Sequence, residues 1–514
     1  MKRLPASPDL SHLKKQAKHL LRDARAGEAE ALRRFVETLP TVRAMDRAAL
    51  AEHALKLHDA QSVIAREHDF RSWTELKRYV AWKQTDRAER LKTWLAWAYE
   101  GNARERRLAT RMLREEPDFF AGDAWLACAF GDEATLRAAL ARDAGWANRP
   151  GGPLLMPPLV AVTHSRLIEE GLAPAFLACA RLLLQHGADV DAAWIDPRWP
   201  DSPLSVLYGA AGRTHHAGMT ELLLGAGANP DDNESLYHSL ESSGDTCMRL
   251  LLQAGVRVTG TNAIGRVLDY DRLGALQLLL QHGGDARERP WIHHAILRGR
   301  SIEHVRTLVE AGADLRAENS EGISLFRWAQ MRGRVDVVDL LRGAGIDEPL
   351  TQEEQFVAAC TRGDEAVARV IRDRVPDIVA RLSEAQLRAL PELAAVGDRR
   401  AVRTMLALGW PLEVKAEWDA TALNLAVFQG DAEIARLLLD SGADWRTKHG
   451  FGNNVLGTLS FASQAEDTAE QAPSDYRGCA QVLLDHGVPL TALQRYTFSA
   501  EVTEYLDAFA AEDD

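Results

Sequence analysis

Along residues 421–444, TALNLAVFQGDAEIARLLLDSGAD, the apolar positions fall into two short helical stripes divided by a glycine. Leu423, Ala426 and Val427 lie at i, i+3 and i+4, one face of a first helix, and Ile434, Leu437 and Leu438 make the stripe of a second. Thr421 is placed to cap the first helix through its hydroxyl. Asp431 opens the second, where a carboxylate favours the positive end of the helix dipole. Gly430 stands at the reversal and Gly442 at the second stop, places that suit a residue tolerating positive φ. The pattern predicts a short antiparallel helix pair that leaves through a turn at Ala443, Asp444 and Trp445. One such pair cannot bury both stripes alone; stacked copies can.

The copies are present. LLLDSGAD (437–444) is echoed by LLLQHGAD (182–189), LLLGAGAN (222–229), LLLQAGVR (250–257), LLLQHGGD (278–285), LVEAGAD (308–314), LLRGAGID (340–347) and LLDHGVPL (483–490). First-helix halves recur in WLACAFGDEATLRAAL (125–140), PWIHHAILRGR (290–300) and SLFRWAQMRGR (324–334). The closing glycines are 33 residues apart from Gly312 to Gly345 and from Gly409 to Gly442. They are 28, 28 and 29 apart between Gly227, Gly255, Gly283 and Gly312, and 40 apart from Gly187 to Gly227. The 64-residue gap from Gly345 to Gly409 holds one more degenerate unit around FVAACTRGDEAVARVI (356–371).

The two ends read differently. Residues 9–36 predict a helix with Leu13, Ala17, Leu20 and Leu21 on one face, a break at Gly27 and a second helix. In 57–80, Ser72 caps a further helix, with Glu75 completing a capping box. Residues 87–118 form an eroded helix pair that reverses at YEGN (99–102), and 499–514 form one amphipathic helix with an acidic tail.

The unit at 421–444 resembles an ankyrin repeat, whose pattern runs T-P-L-H-x-A through a glycine to a leucine run and Gly-Ala-Asp, with a period of about 33 residues. The resemblance covers about 120–490, and nine or more tandem copies imply an all-α ankyrin-repeat solenoid of about ten or eleven units. Segments 1–85 and 86–120 are expected as a helical leader or cap and a degenerate helix pair, 121–490 as the repeat array, and 491–514 as a C-terminal capping helix. The leader resembles one that precedes ankyrin arrays in a group of bacterial proteins; no activity is implied by that likeness. Several units depart from the family pattern. His293 is the only histidine at the last position of T-P-L-H, where the family's helix-capping histidine stands, and the 28- and 29-residue units should carry clipped fingers. Two units are swollen, 148–187 and 445–487; within the second, 461–476 is polar and expected to be mobile.

Composition changes this picture mainly through charge. The chain has 514 residues, 46% of them hydrophobic and 26% charged, which suits an extensive core and a soluble surface. No apolar run approaches the roughly 18 residues of a membrane span. The front lacks the apolar stretch of a signal peptide. The five cysteines, Cys128, Cys179, Cys247, Cys360 and Cys479, form no CxxC pair and are expected as small core residues of a cytoplasmic protein. Residues 1–120 hold 25 basic and 18 acidic residues; the remainder holds 36 and 56. An acidic array repels nucleic acid and favours basic or mixed-charge partners. The basic front offers a third, weaker reading, a nucleic-acid contact, although it lacks interleaved aromatics for base stacking.

Candidate chemistry is sparse. HExxH, G-x-S-x-G, GxxxxGK[ST] and a strand-anchored GxGxxG are missing from the sequence. HGFGNN (449–454) reads as a finger loop. His215-His216 and His293-His294 are adjacent and point about 100° apart on a helix, and His53 and His58 are five apart, so none of these pairs is a good chelate. No cofactor, metal or catalytic residue is assigned. Of thirteen tryptophans, Trp97, Trp125 and Trp328 fall in helix patterns and are expected in the core. Others fall where fingers should be. The resemblance implies a concave binding face of fingers and inner helices, which here suggests Trp194, Arg198, Trp199, Trp418, Trp445 and Arg446, residue types enriched at binding hot spots. The function expected is a non-catalytic protein–protein interaction scaffold of bacterial type, its partner's identity and its oligomeric state open. The alternative is an enzyme, or an enzyme's accessory, using a cleft at the enlarged repeats around 148–200.

Overall fold

The structure, a computed structural model, describes residues 2–5, 7–39, 42, 45, 55–464 and 474–512. The described chain is mostly helical and divides into two compact units, Met1–Ala228 and Asn229–Asp514.

In the first unit the leader supplies the helices Leu10–Arg25, Ala29–Thr38, Leu57–Glu67 and Trp73–Gln84. Leu13, Ala17, Leu20 and Leu21 are buried, as their spacing predicts, and the first of these helices packs on the third. The expected capping box at Ser72 is half formed. The Ser72 hydroxyl accepts from the Glu75 amide at 3.2 Å, but the Glu75 carboxylate turns to the Arg71 amide at 2.8 Å and to Arg107 at 3.0 Å. Glu75 is buried beside Arg107, and a charge-assisted bond to a cation outweighs a return to its own cap.

Helix pairs follow: Arg87–Tyr99 with Ala103–Glu115, Ala124–Phe130 with Glu133–Arg142, and Pro158–His164 with Ala173–Gln185. A distorted pair runs from Val206–Tyr208 through Gly209–Arg213 to Ala217–Gly225. The core tryptophan of the first pair is Trp94, which is fully enclosed and donates to the Ala109 carbonyl at 3.1 Å. Trp97, expected there, is half-buried, because the buried face runs through Trp94, Leu95, Ala98 and Tyr99 and leaves it at the edge. Trp125 is half-buried too, whereas Trp328 is in the core. The swollen segment after Asn148 folds back on Trp125 through a bridge between Gly151 and Met156. A Cβ on Gly151 would lie 2.2 Å from the Trp125 ring, so only glycine allows that approach. Strands Ala193–Ile195 and Pro203–Ser205 then pair antiparallel as a finger, with Trp194 opposite Leu204.

In the second unit the stacked pairs run from Ser235–Ser239 with Thr246–Gln253 to Val455–Gln464 with Tyr476–Asp485. From residue 124 to 485 the described residues form eleven pairs, three in the first unit and eight in the second. The gap between Gly345 and Gly409 is filled by Gln352–Thr361 with Glu365–Arg374, then Ala389–Ala395 with Arg399–Ala407. The unit at 421–444 follows its pattern closely. The Thr421 and Asn424 side chains form a capping box at Ala422–Phe428, and the Asp431 carboxylate accepts from the Glu433 and Ile434 amides at the start of Ala432–Asp440. Gly430 has φ 70°, and a Cβ there would stand 2.7 Å from that of Ser474 in the next repeat. Leu437 is half-buried and Leu439 takes the core position instead. The helix Ala500–Glu512 packs on Tyr476–Asp485. Most of the polar insert 461–476, residues 465–473, and His53 lie outside the described residues.

None of the five cysteines forms a disulfide, and all are buried, each in a different helix pair. Burial pushes the thiols of Cys128, Cys179, Cys360 and Cys479 up, Cys179 and Cys360 to about 12.

Candidate functional site

In the second unit the turn before Ala422–Phe428 carries Trp418 (φ 46°) and Asp419 (φ 55°), two successive non-glycine residues in the left-handed region. Such a conformation costs on the order of 1–3 kcal/mol per residue and persists where surrounding contacts impose it. Here the Ala416 amide donates to Ala420 at 2.9 Å, the Gly450 amide donates to the Trp418 carbonyl at 2.8 Å, and Arg298 clasps Glu417 with bonds of 2.5 and 2.9 Å. The turn aims the Trp418 ring into an aromatic cluster. Its centroid lies 5.2 Å from His449, 5.6 Å from Phe428 and 6.1 Å from Phe451. Phe428 in turn stacks on Phe461 at 6.4 Å. Phe451 is 80% exposed and Phe461 69%, so the cluster presents ring surface to water. Burial lowers the His449 pKa, which keeps its imidazole neutral near pH 7 and the cluster uncharged.

The other expected residues of this unit do not join the cluster. Trp445 is half-buried and carries the Arg446 guanidinium 4.4 Å above its ring, and Arg446 also pairs with Asp444 at 3.4 Å.

In the first unit the finger orders its residues differently. The Trp194 indole N–H donates to the Leu154 carbonyl at 3.0 Å, which ties the ribbon to the swollen loop. Arg198 bonds to Asp196 at 2.5 Å and Glu100 at 3.0 Å. The hydrogen bond to Asp196 leads the causes that raise its pKa, and Arg198 thereby fixes the finger tip. Trp199 is left 67% exposed, with Ile195 and Leu155 also in water. Reasoning from sequence missed Phe428, His449, Phe451, Phe461, Ile195 and Leu155. The signal for Phe451 was its place between two glycines in HGFGNN, a turn that holds a ring outside the core.

His215 and His216 lie in the turn ahead of Ala217–Gly225 and not on a helix, whereas His293 and His294 lie on Trp291–Leu297. His215 faces the Ala211 carbonyl and His216 accepts from the Met219 amide. His293 contacts the Ile323 carbonyl at 3.1 Å and His294 the Asp269 carboxylate at 2.8 Å. Among the described residues no group of three or more His, Cys, Asp or Glu is placed to hold a metal ion. No helix among them is long and apolar enough to cross a membrane. Behind the swollen segment His164 is enclosed, and burial together with Arg213 lowers its pKa to about 3.

Residues 418–449, which begin at the strained turn and end at His449 of the cluster, match the family model described as Ankyrin repeat. The chain carries an ankyrin repeat there. Over 158 residues it is 32% identical to an ankyrin repeat-containing protein of Treponema pallidum (strain Nichols), a match covering 30% of this chain and half the length of that relative. Among solved structures it is similar to the human ASB11 ankyrin repeat domain, at 20% identity with a TM-score of 0.21, covering 44% of this chain and 98% of that one. Ankyrin repeats are in general modules for protein–protein interaction.

Proposed function

We propose that this protein is a non-catalytic scaffold whose main contact surface is the aromatic cluster of Trp418, Phe428, His449, Phe451 and Phe461. The observation that carries the reading is the exposure of Phe451 and Phe461 around a Trp418 held in a strained backbone. Large, already ordered rings lose little conformational entropy on binding and make effective anchors. The partner is a protein of basic or mixed charge, because residues 229–514 hold 29 basic against 45 acidic residues. The finger of Trp194, Arg198 and Trp199 is a second contact surface, with Trp199 and Ile195 as its apolar tip. Trp445 and Arg446 form a stacked pair that can contribute at the rim.

The test is capture from a lysate of the source cells by the intact protein, by Trp418→Ala/Phe451→Ala and by Trp194→Ala/Trp199→Ala, all checked for helicity by circular dichroism. A protein held by the intact chain and weakened about 30-fold or more in the first variant supports the cluster as anchor. A partner that leaves only with the second variant moves the site to the finger. Capture of nothing by the intact chain overturns the scaffold reading.

A further inference from the structure

Within the first unit, a groove of about 670 Å³ runs between the end of Leu57–Glu67 with the turn that follows it and one face of Ala103–Glu115. Five arginines line it: Arg66, Arg71, Arg107, Arg111 and Arg114. Arg107, Arg111 and Arg114 fall at helical spacing, so they share a face.

The floor is fixed in advance. Arg111 donates to the His68 and Asp69 carbonyls at 2.9 and 2.8 Å and to Glu115 at 2.7 Å, and its guanidinium lies 3.8 Å over the Phe70 ring. Arg107 is anchored on the buried Glu75. The rim is unsatisfied. Among the described residues Arg71 and Arg114 are exposed, with guanidinium groups that make no ion pair, and the Nε of Arg66 is buried without a hydrogen-bond partner. The lining carboxylates do not supply the missing charge. Glu75 is engaged by Arg107 and the Arg71 amide, and Glu170 faces Arg106 at 3.4 Å, leaving Asp69.

We propose that this groove binds a short chain of phosphates, a linear polyphosphate or the polyphosphate portion of a small molecule. The guanidinium fork matches the oxygens of a phosphoryl group in two parallel hydrogen bonds, and several forks along one groove suit several linked phosphates. Base recognition has little to work with. The ring that lines the groove, Phe70, is 2% exposed and covered by Arg111, so it offers no stacking face. The site shares no residue with the aromatic cluster and does not depend on the scaffold reading.

The experiment titrates sodium tripolyphosphate into the full chain by calorimetry at low salt in a phosphate-free buffer. Inorganic phosphate, ATP and a single-stranded oligonucleotide serve as comparison ligands. The expected result is one tripolyphosphate per chain, binding at least tenfold tighter than inorganic phosphate and weakening steeply with salt. Arg71→Glu/Arg114→Glu should lose it by tenfold or more, and Arg71→Gln/Arg114→Gln by less. Both positions are exposed and unpaired, so these variants keep the fold, which circular dichroism checks. ATP binding as tightly as tripolyphosphate assigns the site to the phosphate portion of a nucleotide; tripolyphosphate winning assigns it to the free chain. Absence of tripolyphosphate binding, equal binding by both variants and the parent, or an oligonucleotide that binds more tightly through the same arginines overturns the proposal.

Discussion

In the first unit the exposed aromatic, Trp199, stands at the tip of a two-stranded finger whose Arg198 is already paired. In the second, Trp418 lies against three other aromatic rings, with Phe461 stacked behind Phe428, and its own backbone is strained to put it there. The units differ in charge as well: residues 1–228 hold 32 basic and 29 acidic residues, residues 229–514 hold 29 and 45. Both are built from the same leucine-striped helix pair. What differs is the use made of positions the stripe leaves free. The first unit spends arginines on fixing a finger and lining a groove. The second concentrates rings in one place and surrounds the array with carboxylates. A repeat therefore specifies stacking, and its departures specify what the stack can touch.

The largest effect that sharpens this contrast concerns buried charge in the second unit. Arg332 is enclosed, stacked 4.0 Å from Trp328 and ion-paired with Glu392. Burial holds the Glu392 carboxyl above the usual range even with Arg332 beside it. Glu392→Gln, which strands the guanidinium, should cost about 3–5 kcal/mol in urea unfolding, while a paired Arg332→Met/Glu392→Met change should recover most of it. A Glu392→Gln cost below about 0.5 kcal/mol would show that the pair does not hold its charge.

Next come two histidines that should give the units opposite responses to pH. Burial and Arg213 depress His164 in the first unit to about 3. Its neutral form is favoured by folding, so its contribution is complete above the unfolded value of about 6.5 and is lost as pH falls from there toward 3. His238 in the second unit is raised to about 9. Burial opposes its charge, but hydrogen bonds to Glu234 and Glu241 prevail. Its contribution is complete below about 6.5 and is lost as pH rises through 9. The expected penalties are on the order of 2 kcal/mol at pH 5 from His164 and at pH 8 from His238. NMR titration of the two imidazoles checks the shifts, and His238→Gln should flatten the alkaline limb of the stability profile while leaving the acid limb intact. An ordinary titration near pH 6.5 for either histidine removes its half of the contrast.

A smaller change is expected at Gly430. Alanine there would meet Ser474 and occupy a left-handed backbone, for a cost of about 1–2 kcal/mol by thermal unfolding. The smallest is at the finger tip. Trp199→Ala should shift stability by less than about 0.5 kcal/mol, since the ring is mostly in water. A large loss would mean that the finger is held by its tip and not by Arg198 and Trp194.

The repeats were legible because their information is local: a cap, a stripe and a glycine at fixed spacing, as at Thr421, Asp431 and Gly430. Even the degenerate unit at 356–371 kept enough of that grammar to be placed. The aromatic cluster was only partly legible. Trp418 stood out as a tryptophan in a finger, but its neighbours Phe428, Phe451 and Phe461 come from different helices and turns, and only stacking brings them together. Trp97 and Trp94 show a finer limit, since three residues along one helix separate the edge of a buried face from its centre. The groove in the first unit needed distant segments too: Arg66 and Arg114 become neighbours only once the leader packs on the first helix pair.

The five buried cysteines give this protein a set of internal clocks. Each sits in its own helix pair, from Cys128 through Cys179, Cys247 and Cys360 to Cys479, and none is paired with another. A thiol reagent that reacts only with exposed sulfur can reach each one only when the helices around it part. Five labelling rates read from one sample by mass spectrometry would therefore time the opening of five separate repeats along the chain, without an added dye or an engineered residue.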